Sequence, residues 1–446
     1  MRSFKSVFAA SCLFTSLVEA GLGRSVGPLT TIHAKIKGKE CNVLQYGAKA
    51  DGQTDVGPAI SAAFAACKTG GIVVIPAGNY ALETWVTLSG GNSWGLQLDG
   101  TIHRTGTAGG NMIMIEHSND FELFSTAAKG AIQGNGYIFH QKGSISGPRI
   151  LRFYMVNNFS VHDIALVDSP SFHFSLDTCS NGEVYNMAIR GGNEGGLDGI
   201  DVWSNNMHIH DIMVTNKDEC VTVKSPSNNI LIENIYCNWS GGCAFGSLGA
   251  NTNISDVIYR NIYTVQSNEM MMIKSNGGSG TLKNVILENF IGHSNAYNLD
   301  VDQYWDDLAT QPGEGVQLDN IVFSNWAVTV EDTDAVQRPP LRFNCADGSP
   351  CTNMILRNVN MQTISGDETT HFCRSAYGSG ACLKDGDGGR YEGATSTIKA
   401  AATGYTPPRM DQDLKSSFGT TASIPIPSIG PSFFPNVAPI SRIAGS

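Results

Sequence analysis

Beyond its first twenty residues, the 446-residue chain lacks an apolar stretch long enough to span a membrane as a helix. Inside those residues, Arg2 and Lys5 precede an apolar run at 7–17, and a Val-Glu-Ala triplet follows at 18–20. This order is typical of a secretory signal peptide, which we assign to residues 1–20. We therefore expect a secreted, extracellular protein with no membrane partner.

Charge is also scarce, at 15% of residues, and basic residues are outnumbered, with 29 Lys and Arg against 40 Asp and Glu. The resulting net charge of −11 repels nucleic acid, so no nucleic-acid partner is expected. An acidic substrate would need cations placed locally, against the overall field of the protein.

Neither a Cys-x-x-Cys nor a His-x-x-His spacing occurs, so the sequence predicts no metal, and it indicates no cofactor. Loss of Cys12 with the signal leaves ten cysteines, an even number in an oxidising compartment. Close spacing favours four disulfide bonds, namely Cys41–Cys67, Cys220–Cys237, Cys345–Cys351 and Cys373–Cys382. Cys179 and Cys243 remain, either bonded to each other or buried as thiols.

Three Asn-x-Ser sequons begin at Asn158, Asn238 and Asn253, and each is a candidate glycosylation site in a secreted chain. Residues 403–446 are rich in Pro, Ser, Thr and Gly, which predicts an extended C-terminal tail. We assign residues 21–402 to one catalytic domain and expect a monomer.

The main organisational feature is a repeat. Each copy is an alternating apolar run that ends in Asn or Asp, and a large apolar residue follows. Its copies end at Ile164, Met187, Ile212, Ile235, Ile262, Phe290, Trp326 and Val359. Short alternating strands at intervals of 23 to 36 residues favour an all-β, right-handed parallel β-helix over a leucine-rich repeat or a propeller. The recurring Asn is expected to form side-chain ladders or to cap turns. Residues 56–67 show helical spacing and predict an N-terminal capping helix.

Four carboxylates lie in two clusters about one repeat apart, Asp198 with Asp201 and Asp218 with Glu219. On neighbouring coils they would lie roughly 5–10 Å apart, and each would raise the pKa of the next. Such a set is a candidate acid/base site, although single acidic residues at β-helix turns usually only cap turns. Because adjacent strand residues point to opposite faces, Asp218 and Glu219 can share a site only where the backbone is irregular. Calcium binding is disfavoured by Lys217 and by the irregular spacing.

These residues resemble the motif series of the polygalacturonase-type glycoside hydrolases, over about residues 42–360. The stretch at 196–201 resembles Asn-Thr-Asp-Gly-x-Asp, 218–220 resembles Asp-Asp-Cys, and Met272-Ile-Lys274 resembles Arg-Ile-Lys. Glu219 replaces an Asp, Cys243 stands at the motif His, and Met272 replaces the Arg. This pattern resembles the rhamnogalacturonan hydrolase branch, whose substrate has neutral rhamnose on one side of the cleaved bond.

The resemblance implies inverting hydrolysis, with Asp218 as general acid and with Asp198 and Glu219 activating water. Acid and base would then lie roughly 6.5–9.5 Å apart. It implies further that Lys274 binds a galacturonate carboxylate and that Asp201 supports the site. His293 is our candidate for the missing catalytic imidazole, and Tyr297 is our candidate for a sugar-stacking residue.

Three other functions stay open at this point. A polygalacturonase would act on homogalacturonan, and a pectin lyase would need Ca²⁺ and a basic residue to abstract a proton. A non-catalytic carbohydrate-binding β-helix would bind without turnover. All three share pectin or another polysaccharide as partner.

Overall fold

The computed structural model describes residues 22–143, 145–331, 339–366, 368–398, 414 and 418–430. The predicted signal peptide and most of the predicted tail lie outside these residues. The helices are α1 Ile32–Gly38, α2 Gly57–Cys67 and α3 Tyr137–His140, with a 3₁₀ helix at Val43–Tyr46. Among the described residues, no helix has the length and apolar character needed to cross a membrane.

Strands make up most of the described chain. The first thirteen are β1 Glu40–Asn42, β2 Asp51–Asp55, β3 Ile72–Ile75, β4 Asn79–Leu82, β5 Val86–Ser89, β6 Asn92–Leu98, β7 Thr101–Arg104, β8 Gly110–Glu116, β9 Asn119–Phe124, β10 Gly130–Gln133, β11 Pro148–Tyr154, β12 Asn157–His162 and β13 Ile164–Val167. The remaining fifteen are β14 Phe174–Arg190, β15 Ile200–Thr215, β16 Glu219–Val223, β17 Ser227–Asn238, β18 Gly242–Leu248, β19 Thr252–Val265, β20 Met271–Ser275, β21 Gly280–Asn295, β22 Leu299–Asp302, β23 Gln317–Val330, β24 Leu341–Asn344, β25 Cys351–Thr363, β26 Thr369–Arg374, β27 Ala376–Ser379 and β28 Glu392–Ile398.

Each strand pairs in parallel with the strand one coil away, as β15 does with β17 and β17 with β19. Among the described strand pairs, β26 with β28 is the antiparallel exception. The chain therefore winds as a β-helix whose coils are about 4.8 Å apart, which confirms the predicted fold class.

The sequence repeat and the observed register coincide. The apolar residues that end successive copies are direct partners in one column, namely Met187, Ile212, Ile235, Ile262, Phe290, Trp326 and Val359. All of these but Val359 are almost completely buried. The repeat thus records one side chain per coil pointing into a continuous core.

The recurring Asn residues both turn the chain and form ladders, as predicted. Asn234, Asn261 and Asn289 have φ of 54°, 55° and 57°, a left-handed conformation that Asn tolerates better than most residues. Each amide donates to the coil before it, Asn261 to Asn234 at 3.1 Å and Asn289 to Asn261 at 2.6 Å. The ladder satisfies polar groups at a corner where strand pairing is interrupted.

The N-terminal end of the core is covered by α2, the predicted capping helix. Its buried residues include Ile60, Ala63, Phe64 and Cys67, and Phe64 packs edge-on against Trp94 at 4.7 Å between ring centroids. Because an uncovered coil would expose the core, this helix completes the first turns of the solenoid.

The four disulfide bonds expected from spacing are all formed, namely Cys41–Cys67, Cys220–Cys237, Cys345–Cys351 and Cys373–Cys382. Cys179 and Cys243 are separate buried thiols, which settles the two alternatives left open by the sequence. Burial raises the pKa of each to about 12, so both stay protonated.

The three sequons differ in accessibility. Asn253 is exposed, and Asn158 is half-buried in a ladder with Asn119 and Asn181. Asn238 has no exposed surface, so the folded chain has no room for a glycan there, and our expectation for Asn238 is corrected. The other two remain predictions.

The described part of the predicted tail, residues 418–430, lies on the β-helix. Ile424 is buried against Ala131, Ala165 and Val167, and its carbonyl accepts from Gln133 Nε2 at 2.8 Å. The carbonyl of Phe418 accepts from the N–H of Asn193 at 2.9 Å. This segment therefore packs against the same turn, residues 191–199, that leads into the first carboxylate cluster.

Candidate active site

The first cluster is positioned by the entry into β15. Asp201 pairs in register with Thr222 of β16 and lies between Ile200 and Val202, which point into the core. Strand alternation therefore turns Asp201 to the outer face. Asp198 precedes the strand, and its carbonyl accepts from His173 N at 2.9 Å and contacts His173 Nδ1 at 3.1 Å. Buried His173 fixes the backbone beside Asp198.

The second cluster depends on the irregular backbone that its sequence requires. Lys217 has φ of 62°, and β16 begins only at Glu219, with a register shift between Glu219 and Thr222. Asp218 N approaches Asn216 Oδ1 at 3.3 Å, a local turn ahead of the strand. Asp218 and Glu219 consequently reach the same face, as the sequence analysis required.

The two clusters meet. One oxygen each of Asp198, Asp218 and Glu219 lies within 4.8 Å of the other two. Asp201 joins them through Lys224, whose Nζ lies 3.1 Å from Asp201 Oδ1 and 3.6 Å from Asp198 Oδ2. This group, Asp198, Asp201, Asp218 and Glu219, is called the carboxylate cluster below. These nearest oxygens are closer than the 6.5–9.5 Å that we expected between acid and base.

Asp218 and Glu219 have opposite electrostatic environments. Burial, the charge of Glu219 and a hydrogen bond to it raise the pKa of Asp218. Although burial opposes it, the hydrogen bond from Asp218 and the nearby Lys274 lower the pKa of Glu219. Asp218 also accepts from the N–H of Gly196, a glycine with φ of 77°. The pair therefore holds one proton on Asp218 and a negative charge on Glu219.

The environment of Asp198 also favours its protonated form. Burial raises its pKa well above the usual range, and the charges of Asp201, Glu219 and Asp218 raise it further. Burial also raises the pKa of Asp201, against the opposing effect of Lys224 and a hydrogen bond with Asp198. The cluster thus combines ionised and protonated carboxyls at neutral pH, the condition for acid/base chemistry.

Lys274 lies in the cluster, in direct contact with Glu219. Its Nζ donates a hydrogen bond to Glu219 Oε1, and its side chain is 19% exposed. The ammonium group has two further donors besides that bond, so it can also bind an anionic substrate group. The neighbouring oxygens of Asp198, Asp218 and Glu219 could ligate a divalent cation. Lys224 and Lys274 already neutralise part of their negative charge.

His293 and Tyr297 are not brought to the carboxylate cluster. One column of register partners contains Val214, Cys237, Thr264 and Gly292. This column places His293 three coils, or about 14 Å, from the coil of Asp218. Burial lowers the pKa of His293 to about 4. A catalytic role for this imidazole stays a prediction without support from the geometry.

Tyr297 lies in the turn before β22, where its N–H donates to Asn268 O at 2.7 Å. It is 4% exposed, so little of its ring faces solvent. The register from β16 through β18 and β20 to β22 also separates it from Glu219 by three coils. Its stacking role likewise stays a prediction.

The sequence analysis assigned no site role to several cations on this face of the β-helix. Lys224 contacts Asp198 and Asp201, and Arg149 interacts electrostatically with the same two carboxylates. Arg342 lies outside the cluster, four coils from Glu219 in register, where it binds Asp300 through two hydrogen bonds of 2.7 Å. Outward-pointing residues of neighbouring coils align, so the positions of these cations follow from the sequence only once the register between the strands is known.

Chemically, the arrangement offers a buried proton donor, an adjacent anion held by a lysine, and cations along the same face. A donor and an acceptor within a few ångströms of each other suit hydrolysis of an acid-labile bond. The cations supply the local attraction that a net-negative protein needs for an anionic polymer.

The comparisons agree with this chemistry. Residues 67–382 match the family described as glycosyl hydrolases family 28. Rhamnogalacturonase A of Emericella nidulans is 61% identical over 430 residues, covering 96% of this chain and 84% of that relative. Rhamnogalacturonase A of Aspergillus aculeatus is 60% identical over 430 residues, covering 96% and 97%.

Solved structures share the fold at lower identity. The endo-xylogalacturonan hydrolase from Aspergillus tubingensis gives a TM-score of 0.65 at 22% identity, covering 78% of this chain and all of that one. The polygalacturonase from Erwinia carotovora gives 0.55 at 16%, covering 76% and 96%. Since the family match spans most of the chain and the relatives align over nearly all of it, the protein belongs to glycosyl hydrolases family 28.

Proposed function

We propose that the protein is an endo-acting rhamnogalacturonan hydrolase that cleaves the bond between galacturonic acid and rhamnose with inversion. Relatives named rhamnogalacturonase A, about 60% identical along nearly the whole chain, support the substrate. The observation that carries the chemistry is the close approach of Asp198, Asp218 and Glu219, where the pKa of Asp218 is raised and that of Glu219 is lowered. The protein acts outside the cell, on a polysaccharide, as a monomer.

Asp218 serves as the general acid in this proposal. Burial and the neighbouring charge keep its proton in place at a pH where an ordinary aspartate has lost it. As the glycosidic bond breaks, the proton passes to the leaving oxygen, which avoids expelling an alkoxide.

Glu219 and Asp198 activate the attacking water. Glu219 is ionised and held by Lys274, so it can accept a hydrogen bond from water at once. Asp198, whose pKa is raised by burial, is hydrogen-bonded to Asp201 and orients the same water, while Glu219 takes the proton that the water releases. Attack from the side opposite the leaving group gives the inverted anomer. The compact carboxylate spacing makes this stereochemistry the part of the proposal that most needs measurement.

Substrate choice follows from the charges on this face. Lys274 provides a cation for a galacturonate carboxylate on one side of the bond. On the same strand, Met272 is apolar and 5% exposed, lying between Ala244 and Asp300 in register. A neutral deoxysugar needs no cation at this position, and its methyl group suits an apolar neighbour.

Proton NMR on purified protein with rhamnogalacturonan as substrate tests the proposal. We expect new reducing ends on galacturonic acid, with the inverted anomer appearing before mutarotation. Homogalacturonan, offered at the same concentration, should be cleaved far more slowly.

Each rival predicts a different spectrum. Preferential turnover of homogalacturonan would make the protein a polygalacturonase. A new double bond whose formation requires Ca²⁺ would indicate a lyase, and binding without any turnover would indicate a carbohydrate-binding β-helix. Initial release of the retained anomer would contradict inversion alone.

A further inference from the structure

A second cluster of chemically active side chains lies on β14 and β15, seven to nine residues beyond Asp201 along β15 and past the register shift between these strands. His208 and His210 alternate on β15 with Ile209, which is buried in the core, so both imidazoles point outward. Glu183 of β14 is the direct register partner of His208. A His-x-His spacing on a strand thus does what His-x-x-x-His does on a helix: it places two imidazoles on one face.

The distances among these groups match a coordination shell. Glu183 Oε1 lies 3.2 Å from His210 Nε2 and 3.7 Å from His208 Nδ1, and the three ligand atoms lie within 4.8 Å of one another. Ligands about 2.0–2.1 Å from a tetrahedral zinc ion are separated by about 3.3–3.4 Å. One ion therefore fits among the three atoms after small side-chain adjustments.

The far nitrogen of each imidazole is held by another carboxylate. His210 Nδ1 lies 2.8 Å from Asp211 Oδ2, and His208 Nε2 lies 2.8 Å from Glu233 Oε1. A metal-binding histidine commonly donates its other N–H to a carboxylate, which fixes the tautomer and orients the ring. These contacts leave the two nitrogens that face Glu183 for a metal ion. Although burial opposes it, hydrogen bonds to Asp211 and Glu183 raise the pKa of His210 to about 9, so the ion displaces a proton when it binds.

The orienting carboxylates are themselves fixed. Asp211 Oδ1 accepts from Asn234 Nδ2 at 3.0 Å, and Glu233 Oε2 accepts from Arg260 Nε at 2.6 Å. The arrangement is therefore built by four successive coils rather than by one mobile loop.

We propose that Glu183, His208 and His210 bind one divalent metal ion of the zinc type, with water completing its shell. The side chains of both histidines are 17% exposed and that of Glu183 is 30% exposed, so solvent can reach the ion. By joining β14 to β15, the ion stabilises the β-helix. It takes no part in hydrolysis, because its ligands form a group separate from the carboxylate cluster.

Isothermal titration of the EDTA-treated full-length protein with ZnCl₂, in a weakly coordinating buffer at pH 7.5, tests the site. We expect one ion per chain, no measurable binding by His210→Gln, and binding about 10- to 100-fold weaker in Asp211→Asn. His162→Gln is the matched control: His162 stands two coils away in the column of His210 and also contacts two carboxylates, Glu122 and Asp163. This control should bind zinc as the parent does.

Circular dichroism and rhamnogalacturonan turnover should be unchanged in these variants, which shows that they fold. If His210→Gln does not fold, Asp211→Asn carries the test. Zinc should raise the Tm of the parent and of His162→Gln only. No binding by the parent would overturn the proposal and leave the histidines as proton-bridged partners of the carboxylates. Undiminished binding by both His210→Gln and Asp211→Asn would overturn it too, and would assign the ion to the carboxylate cluster.

Discussion

At the scale of single residues, the neighbours of each carboxyl group decide its chemistry. Asp218 and Glu219 are adjacent in sequence, yet Lys274 contacts only Glu219 among the ion pairs of the described residues. Burial then favours the neutral form of Asp218, while the ammonium group favours the charged form of Glu219. Two similar side chains thereby differ in protonation, as the proposed roles of acid and base require.

The first prediction concerns Asp218→Asn. The amide keeps the shape of the carboxyl group but has no proton to give to the leaving oxygen, so we expect kcat to fall by about 10³-fold. Steady-state kinetics on rhamnogalacturonan measures the change, and circular dichroism confirms the fold. A variant that kept a tenth of the parental kcat would show that another group protonates the leaving oxygen.

The second prediction concerns pH. Since the pKa of Asp218 is raised, its proton, and with it activity, persists above the usual range of aspartate and is lost as pH rises through the raised pKa. Changing Asp218's charged neighbour by Glu219→Gln lowers the pKa of Asp218. The alkaline limb of the residual kcat/KM profile should therefore move to lower pH. An unmoved limb would assign it to another group.

The third prediction concerns Met272→Arg. An arginine here faces Ala244 and Asp300 in register and restores a cation where the polygalacturonase-type motif has one. We expect the ratio of homogalacturonan to rhamnogalacturonan kcat/KM to rise by at least about tenfold. Met272→Leu is the apolar control and should keep the parental ratio. Equal ratios in the two variants would exclude this residue as a determinant of specificity.

At the scale of elements, the coil corner depends on Asn residues that combine a left-handed φ with a hydrogen bond to the next coil. We predict that Asn261→Ala lowers the free energy of unfolding by about 2 kcal/mol, because it loses the ladder and strains the backbone. Asn261→Gly loses only the ladder, so its cost should be about half as large. Chemical denaturation measures both, and equal costs would show that φ is unimportant here.

The sequence predicts those parts of the architecture that depend on local periodicity. The interior column from Met187 to Val359 repeats one side chain per coil, so the repeat, the core and the neighbouring coils of Asp198 and Asp218 followed directly. No site role followed for Lys224 and Arg149, because their approach to the carboxylates depends on how long each intervening turn is. The pair His208 and His210 did not follow either, because a His-x-His spacing places two imidazoles on one face only when the segment is a strand.

At the scale of the whole molecule, a stacked solenoid needs its ends and outer surfaces secured, and the C-terminal segment contributes to this. Residues 418–430 cross from the face of Ala131 and Ala165 to the turn at 191–199. That turn supplies the N–H of Gly196 to Asp218. This C-terminal segment is thereby connected, through one loop, to Asp218, the proposed general acid.

Two isoleucines in this segment provide a matched test. Ile424 is 2% exposed against the β-helix, whereas Ile426, two residues on, is 38% exposed. We predict that Ile424→Ser weakens docking by about 2 kcal/mol, the value of burying one such side chain, while Ile426→Ser costs much less. Released from the surface, the segment should become sensitive to limited proteolysis in the first variant and stay protected in the second.

If the segment also restrains the turn at 191–199, the Ile424 variant should lose kcat with little change in KM, since Asp218 would lose the hydrogen bond from Gly196. Proteolysis without any loss of kcat would confine the segment to a protective role and leave the geometry of the acid to the β-helix alone.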